Sequence, residues 1–486
     1  MFRSVLTLPL SLAIACFTLL LMAATSAAAD TENSRSRPNV LFIAVDDLND
    51  WITCLGGHPD TQSPHIDALA ARGILFERAY CAAPACNPSR AALLTGIPPY
   101  QSGVYLNPQP WRKAMPTAVT LPQHFMAHGY AVYGCGKIFH GRYKDPASWH
   151  EYFDRPGDPQ PARRPVNGIP NTAHFDWGPV DAPDEAMGDH QVVDWAIKKL
   201  EQKQDKPMFL ACGPFRPHLP WYVPQKYFDR YPVDKVTLPT IRDDDLDDVP
   251  PMGVKMARPD GDHRKVIESN NYRKAVQGYL ASITFADAEV GRLIEALDRS
   301  PYADNTIVVL WGDHGWHLGE KLHWRKFSLW EEADRAPLLM VVPGVTPPNG
   351  RCPRPVSFMD IYPTLADLCG LPVGEHLSGR SLRPLLENPQ APCDRPAITT
   401  HGRNNHAVRS ERYRYIRYSD GTEELYDHKN DPMEWTNLAG NADMAAVKKE
   451  LGKWLPKKNA PDAEYDRGSR SKGKQKKAAK KSHKDK

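Results

Sequence analysis

Two kinds of apolar pattern alternate along this chain. Short, nearly continuous apolar runs occur at Asn39–Val45, Pro207–Gly213, Thr306–Trp311 and Leu338–Val342. Runs without polar alternation predict strands covered on both faces, as in parallel sheet. Tyr130–Cys135 reads as a further strand. Between them lie stretches with helical spacing at Asp67–Phe76, from Cys86 onward, and at Leu121–His128, His190–Gln202, Tyr279–Leu297 and Phe358–Leu371. Strands alternating with helices predict an α/β domain, a large mostly parallel central sheet flanked by helices. Residues 141–190 are rich in Pro, Asp and Gly and lack periodicity, so they read as a long surface excursion, as does the irregular insert at 236–270. From about His376 the pattern changes. Ala407–Tyr418 alternates in part, Glu424–Asp427 follows a Gly turn, and Ala445–Leu455 reads as a last helix. A main domain over 36–375 is therefore expected, then a small C-terminal subdomain over 376–458 with an antiparallel sheet.

Polar groups collect where the apolar runs stop. Asp46 and Asp47 follow the first strand directly. Two carboxylates at the carboxyl end of a buried strand are costly unless something positive binds there, and that edge is where open α/β sheets hold ligands. Asp313 and His314 repeat the pattern after Thr306–Trp311. Lys137 and His140 follow another strand between glycines. His218 lies among Pro214, Pro217 and Pro220, which fix it in a non-helical segment suited to general acid work. Cys86 precedes Pro88, a residue that fits a helix's first turn, so the thiol is expected at a helix N-terminus with Arg90 one turn on. For an isolated Cys-x-Pro, a core cysteine beside a surface arginine would be the better interpretation.

At 486 residues, 41% hydrophobic and 24% charged, the chain has the composition of a globular protein. The net charge of +3 hides an asymmetry. Arg467 to Lys486 holds ten Lys/Arg and one acid, a net of +9, which leaves −6 for the remainder. The tail from 459 is expected to be basic and disordered, and no nucleic-acid partner is implied for the acidic body. Residues 1–29 read as a signal peptide, with Arg3, an apolar run and Ala27-Ala28-Ala29 before Asp30. An exported protein, periplasmic or secreted, follows, with no transmembrane segment after cleavage. Pairing among Cys352, Cys369 and Cys393 stays open. The acids from Asp243 to Asp248 have the wrong spacing for a calcium loop and read as a solvated loop.

Cys86-Asn87-Pro88-Ser89-Arg90, with Leu93-Leu94-Thr95-Gly96 behind it, resembles the signature of the type I sulfatases. Asp46-Asp47, Gly136-Lys137-x-x-His140, Pro217-His218-x-Pro220, Asp313-His314-Gly315 and a later Lys326 follow in that family's order. Within it the iduronate-2-sulfatase type is closest in look, through Val45-Asp46-Asp47-Leu48, Arg216-Pro217-His218-Leu219-Pro220 and Asp313-His314-Gly315-Trp316-His317-Leu318. The resemblance implies an alkaline-phosphatase-like α/β sandwich that hydrolyses sulfate esters of a carbohydrate. It implies that Cys86 is converted by a maturation enzyme to formylglycine, whose hydrate is the nucleophile. Asp46, Asp47, Asp313, His314 and the modified Cys86 would hold one divalent cation, Ca²⁺ in most relatives. Arg90, Lys137 and Lys326 would surround the sulfate, His218 would protonate the departing sugar oxygen, and His140 would take a proton from the hydrate. His401, Arg403 and His406 are candidates for reading the sugar. The alternatives are a phosphonate or phosphodiester hydrolase and a non-catalytic sulfated-glycan-binding protein.

Overall fold

The computed structural model describes residues 37–172 and 174–466. The signal-like segment and the strongly basic 467–486 stretch lie outside those residues. Eight strands form the central sheet. They are β1 (Asn39–Val45), β2 (Ile74–Tyr80), β3 (Ala131–Gly136), β4 (Glu151–Phe153), β5 (Met208–Gly213), β6 (Thr306–Gly312), β7 (Leu338–Val341) and β8 (Gly350–Ser357). Their order is β8-β2-β7-β6-β1-β5-β3-β4. All pairings are parallel except those of β7, which runs against both β2 and β6.

Residues of β1 divide by alternation between two cores. Leu41, Ile43 and Val45 pack on one face with α4 (Gly188–Glu201) and α5 (Tyr272–Arg299). Val40, Phe42 and Ala44 pack on the other with α2 (Cys86–Thr95), α3 (Leu121–Ala127) and α6 (Ile361–Leu368). Burial on both faces is the reason β1 carries no polar residue after Asn39.

Two strands differ from the expectation. The helix anticipated at Asp67–Phe76 is α1 (Pro64–Ala70), and the chain then turns at Gly73 into β2. A Cβ on Gly73 would meet the Met340 carbonyl oxygen at 2.2 Å, so only glycine fits the corner. β8 carries Pro353 and Pro355, which obscure a strand in sequence. It is an edge strand, where a missing N–H is tolerated, and its register slips between Cys352 and Pro355. The 141–190 excursion is better anchored than expected. It supplies β4, and Trp177–Val180 pairs with Trp221–Pro224 over buried Phe175. The 236–270 insert holds helices at Pro251–Ala257 and Asp262–Glu268, and Asp245 is buried against Lys321 (2.7 Å) rather than solvated. Cysteines 54, 81, 86, 135, 212, 352, 369 and 393 are all free.

The C-terminal sheet is antiparallel, in the order β9 (Ala397–Thr400), β10 (His406–Arg409), β11 (Tyr413–Arg417), β12 (Glu423–Asp427), followed by α7 (Ala445–Gly452). Arg414 of β11 docks it to the main domain. Its guanidinium is fully buried between Asp334 (2.6 Å), Glu331 (2.5 Å) and Glu434 (2.7 Å), and it donates to the Leu329 carbonyl (2.9 Å). Replacing Arg414 with Met would leave three carboxylates in the interior without their shared cation. We expect a loss of about 3–5 kcal/mol, read as a lower urea midpoint; an unchanged midpoint would show that the network adds nothing.

The disorder expected from 459 onward does not hold for 459–466, which lie along the body. Ala460, Ala463 and Asp466 donate backbone N–H groups to the carbonyls of Tyr100, Gly103 and Pro108 at 2.8–2.9 Å. Backbone pairing holds this segment, which its small, polar side chains do not reveal. Among the described residues no helix is long and apolar enough to cross a membrane.

Candidate active site

The sheet order delivers the polar groups to one edge. β1 lies between β5 and β6, and Val45 pairs with Gly312, so Asp46 and Asp313 emerge side by side. Asp47 N–H donates to Asp313 Oδ1 (2.9 Å), and Asp46 N–H donates to the Pro214 carbonyl (3.1 Å). β3 pairs with β5 through Gly136 and Gly213, which sets Lys137 beside the turn leading to His218.

Cys86 begins α2 as expected, fully buried, and the helix points its first turn at the carboxylates. Its Sγ lies 3.3 Å from His314 Nε2, 3.1 Å from Lys326 Nζ and 3.7 Å from Asp47 Oδ1. Burial pushes the thiol well up, against the pull of Lys137 and Lys326. Asn87 pins the helix start to the 106–109 loop, donating its side-chain amide to the Gln109 carbonyl (2.7 Å). Ser89 Oγ donates to the Asp313 carbonyl (2.5 Å).

Arg90 is buried behind this cluster. Nε donates to Asp313 Oδ2 (2.8 Å), Nη2 to Asp46 Oδ1 (3.0 Å), and Nη1 to the carbonyls of Lys137 and Ile138. With its donors engaged there, its visible task is to fix two carboxylates. Lys137 pairs with Asp46, and Lys326 with Asp47 (2.5 Å). Burial disfavours the Asp46 charge, but Lys137, Arg90 and Lys326 outweigh it and hold this carboxyl below the usual range. Burial dominates at Asp47 and raises it despite Lys326.

The donor set can be tested against a cation. One ligand atom each from Asp47, Cys86, Asp313 and His314 lies within 4.8 Å of the others, and Asp46, Asp47, Cys86 and His218 form an overlapping group. Asp47 Oδ2 is buried without a hydrogen-bond partner. His314 Nδ1 faces the Gly315 carbonyl (2.9 Å), so its Nε2 is the nitrogen turned to the cluster, 3.3 Å from both Cys86 Sγ and Asp47 Oδ1 and 3.5 Å from Asp313 Oδ2. Three carboxylates converging with one imidazole and an orphaned oxygen fit a hard divalent cation. Three cationic side chains balance the three carboxylates, so an added divalent ion would leave the centre positive and ready for an anion.

His218 sits between Phe215, whose ring is 4.4 Å away, and His174 at 6.3 Å. Its Nδ1 donates to the Leu219 carbonyl (2.5 Å), and Nε2 lies 3.8 Å from Asp47 Oδ2. Burial, then Lys137 and Lys326, hold it well below an ordinary histidine. His140 is pushed down to about 3 by burial and then Lys137, and its Nδ1 is buried without a partner, a neutral ring able to accept a proton.

The three candidate sugar readers do not act together. His401 faces a cavity that it shares with Trp324, Arg325 and Phe327, its ring 6.0 Å from that of Phe327. Arg403 is exposed and bonds Asn459, while His406 is buried against Thr400 Oγ1 (2.9 Å). Sequence reasoning missed several residues around the site. Tyr279 Oη donates to the Asp47 carbonyl (2.8 Å) from a helix face that reads as plain core. His174 lies in an aperiodic segment. His323 reads as an ordinary loop residue, yet its ring nitrogens meet the Lys326 carbonyl (2.8 Å) and the Ala257 carbonyl (2.6 Å).

Comparison with known proteins gives consistent results. Residues 38–371 match the family model described as Sulfatase, and 312–460 match one described as N-sulphoglucosamine sulphohydrolase, C-terminal. A sulfatase of Formosa agariphila is 41% identical over 455 residues, covering 88% of each chain. Iduronate 2-sulfatase of Mus musculus is 31% identical over 402 residues, covering 72% of each. Among solved structures, a phosphonate monoester hydrolase from Silicibacter pomeroyi gives a TM-score of 0.72 at 23% identity, over 86% of this chain and 94% of that one. A 2-O GAG sulfatase gives 0.68 at 22% identity, over 86% and 91%. The last two likenesses speak to the fold alone.

Proposed function

This chain belongs to the sulfatase family, and from that premise we propose that it is an exported enzyme that removes sulfate from a carbohydrate by means of a formylglycine at position 86 and one divalent cation, Ca²⁺ by its oxygen-rich ligands. A sulfated uronic acid is the first substrate to try, from the likeness to iduronate 2-sulfatase. The observation that carries this reading is the convergence of Asp46, Asp47, Asp313 and His314 around Cys86 Sγ, with Lys326 Nζ 3.1 Å from the same sulfur. That sulfur stands in for the hydrate oxygens of the aldehyde.

Asp46, Asp47, Asp313 and His314 would hold the ion, which when bound supplies Lewis-acid stabilisation of negative charge. The remaining roles fall to the chain's own groups. Lys137 and Lys326 hold the sulfate oxygens and oppose the charge that grows on them. Arg90 keeps Asp46 and Asp313 in place from behind. His218 gives a proton to the departing sugar oxygen; burial, then Lys137 and Lys326, keep this ring neutral at rest, and an arriving sulfate offsets the repulsion by the two lysines. His140 accepts the proton of the second hydroxyl of residue 86.

Sulfate release from a panel of sulfated sugars, with phosphate and phosphonate esters alongside, tests the proposal. The mass of the Cys86 peptide from the same preparation reports conversion. We expect sulfate esters to be cleaved faster than every phosphorus ester. The reverse order from a converted enzyme would make this a phosphorus-ester hydrolase on a sulfatase frame.

A further inference from the structure

Four buried aromatic rings meet beside the carboxylate cluster. Tyr279 of α5 has the rings of Trp51, Trp221 and Trp316 around it, with centroids 5.5, 5.3 and 6.5 Å away. The helix comes this close because the residue before the tyrosine is Gly278. A Cβ there would meet Trp177 Cβ at 2.8 Å.

Three of these rings touch separate segments of the site. Trp221 Nε1 donates to the Pro217 carbonyl (2.7 Å), one residue before His218. The Trp316 ring faces Lys326 Nζ at 5.1 Å, within the range of a cation–π contact. Tyr279 Oη donates to the Asp47 carbonyl (2.8 Å) and accepts the Asn49 N–H (3.0 Å). Asn49 is fully buried as well and ties the same turn to the rings' own backbone. Its Nδ2 donates to the Trp316 carbonyl (3.2 Å), and its Oδ1 accepts the Trp51 N–H (3.0 Å).

The contact at Asp47 meets a conformational demand. Asp47 has a φ of 59°, in the left-handed region that a residue with a side chain adopts rarely and keeps where its surroundings hold it. Both backbone polar groups of Asp47 are held, the N–H by Asp313 Oδ1 (2.9 Å) and the carbonyl by Tyr279. The same residue carries the orphaned Oδ2. Rotation of this backbone would swing that carboxylate away from Asp313 and His314.

We propose that Tyr279 and Asn49 are positioning residues: they hold Asp47 in its left-handed turn and so set the affinity of the carboxylate cluster for a divalent cation. The proposal rests on the ion-binding part of the function proposed above and adds two residues outside the ligand set. A phenol that only filled and satisfied the core would stabilise the fold without altering ion binding.

The test is calorimetric titration of chelator-stripped protein with Ca²⁺. Tyr279→Phe keeps the ring and deletes one oxygen. Asn49→Ala releases the same turn from the Trp316 carbonyl. Tyr231→Phe is the control, a buried phenol that bonds α5 through Thr284 Oγ1 and accepts the Gln62 N–H (3.2 Å). We expect the Kd for Ca²⁺ to rise about tenfold or more in Tyr279→Phe, the usual cost of removing a group that orients a metal ligand. It should rise in Asn49→Ala and stay at the wild-type value in Tyr231→Phe, although all three variants lose Tm. Sulfate release by Tyr279→Phe should need correspondingly more Ca²⁺ and approach the wild-type rate at saturation. A wild-type Kd in Tyr279→Phe or, should that variant not fold, in Asn49→Ala overturns the proposal. So does an equal rise in Tyr231→Phe. Wild type that binds no Ca²⁺ yet releases sulfate overturns it while the sulfatase reading stands. The expected order of Kd values in a protein that releases no sulfate supports it while that reading falls.

Discussion

Cys86→Ser is expected to free at most one desulfated sugar per enzyme, keep the sulfate on the substituted residue, and then stop. In the proposed chemistry one hydroxyl of the residue-86 hydrate gives its proton up to solvent and its oxygen attacks sulfur, the S–O bond to the sugar breaks, and His218 supplies the proton that the sugar oxygen needs. The second hydroxyl then gives its proton to His140, the C–O bond to sulfate breaks, and the aldehyde is regenerated for rehydration by water. A serine has one hydroxyl, so it can take sulfate from the sugar and has no second hydroxyl to expel it. Its steady-state rate should fall on the order of 10⁶-fold, as far as removing a catalytic nucleophile outright, because the stalled enzyme cannot regenerate its own. The side-chain volume barely changes, and Ala85 and Asn87 keep their places, so the fold should survive. Mass spectrometry of the stalled protein should show sulfate on the peptide that carries the substituted position. Multiple turnovers by this variant would rule out elimination through a geminal diol.

Chelation is expected to have the next largest effect. Asp46, Asp47 and Asp313 are buried together, and Asp47 Oδ2 has no hydrogen-bond partner. Stripping a bound divalent ion removes several kcal/mol of charge stabilisation, about 10³-fold in rate at 1.4 kcal/mol per tenfold. It should also lower Tm, because an ion that binds only the folded state adds stability by mass action. Ca²⁺ should restore both better than Zn²⁺ does, since three carboxylates outweigh one imidazole. Asp313→Asn should bind the ion more weakly and shift the restoring concentration upward. Full activity in protein shown by elemental analysis to be free of metal would mean that the lysines and Arg90 do the electrostatics alone.

Much of this was legible along the chain. Asn39–Val45 reads as a buried strand because every position is apolar or β-branched after the first, and it proved to be the middle of the sheet. Asp46 and Asp47 stand out because a buried strand has no reason to end in two carboxylates. The Cys-x-Pro start of α2 is visible from the physics of a helix's first turn. β2 was missed because Glu77 and Arg78 break its apolar run, and both are half-buried at the sheet's outer portion. β8 was missed because its prolines argue against a strand everywhere but at an edge.

The site divides along the same line. Short-range pattern fixed which residues carry chemistry, since apolar runs, punctuating glycines and prolines, and charges at strand ends act over a few residues. How those residues share work was decided over long separations. Val45 opposite Gly312 is a pairing across most of the domain, and it alone puts Asp46 beside Asp313. Arg90 proved to be a clamp on those carboxylates because β3 and β6 both end against its guanidinium. His323 gained a partner through the approach of the 251–268 insert, a segment without periodicity of its own. Sequence sets local conformation and burial preference; only the packed sheet and its inserts decide which buried charges face one another, because that depends on the order in which the strands pair.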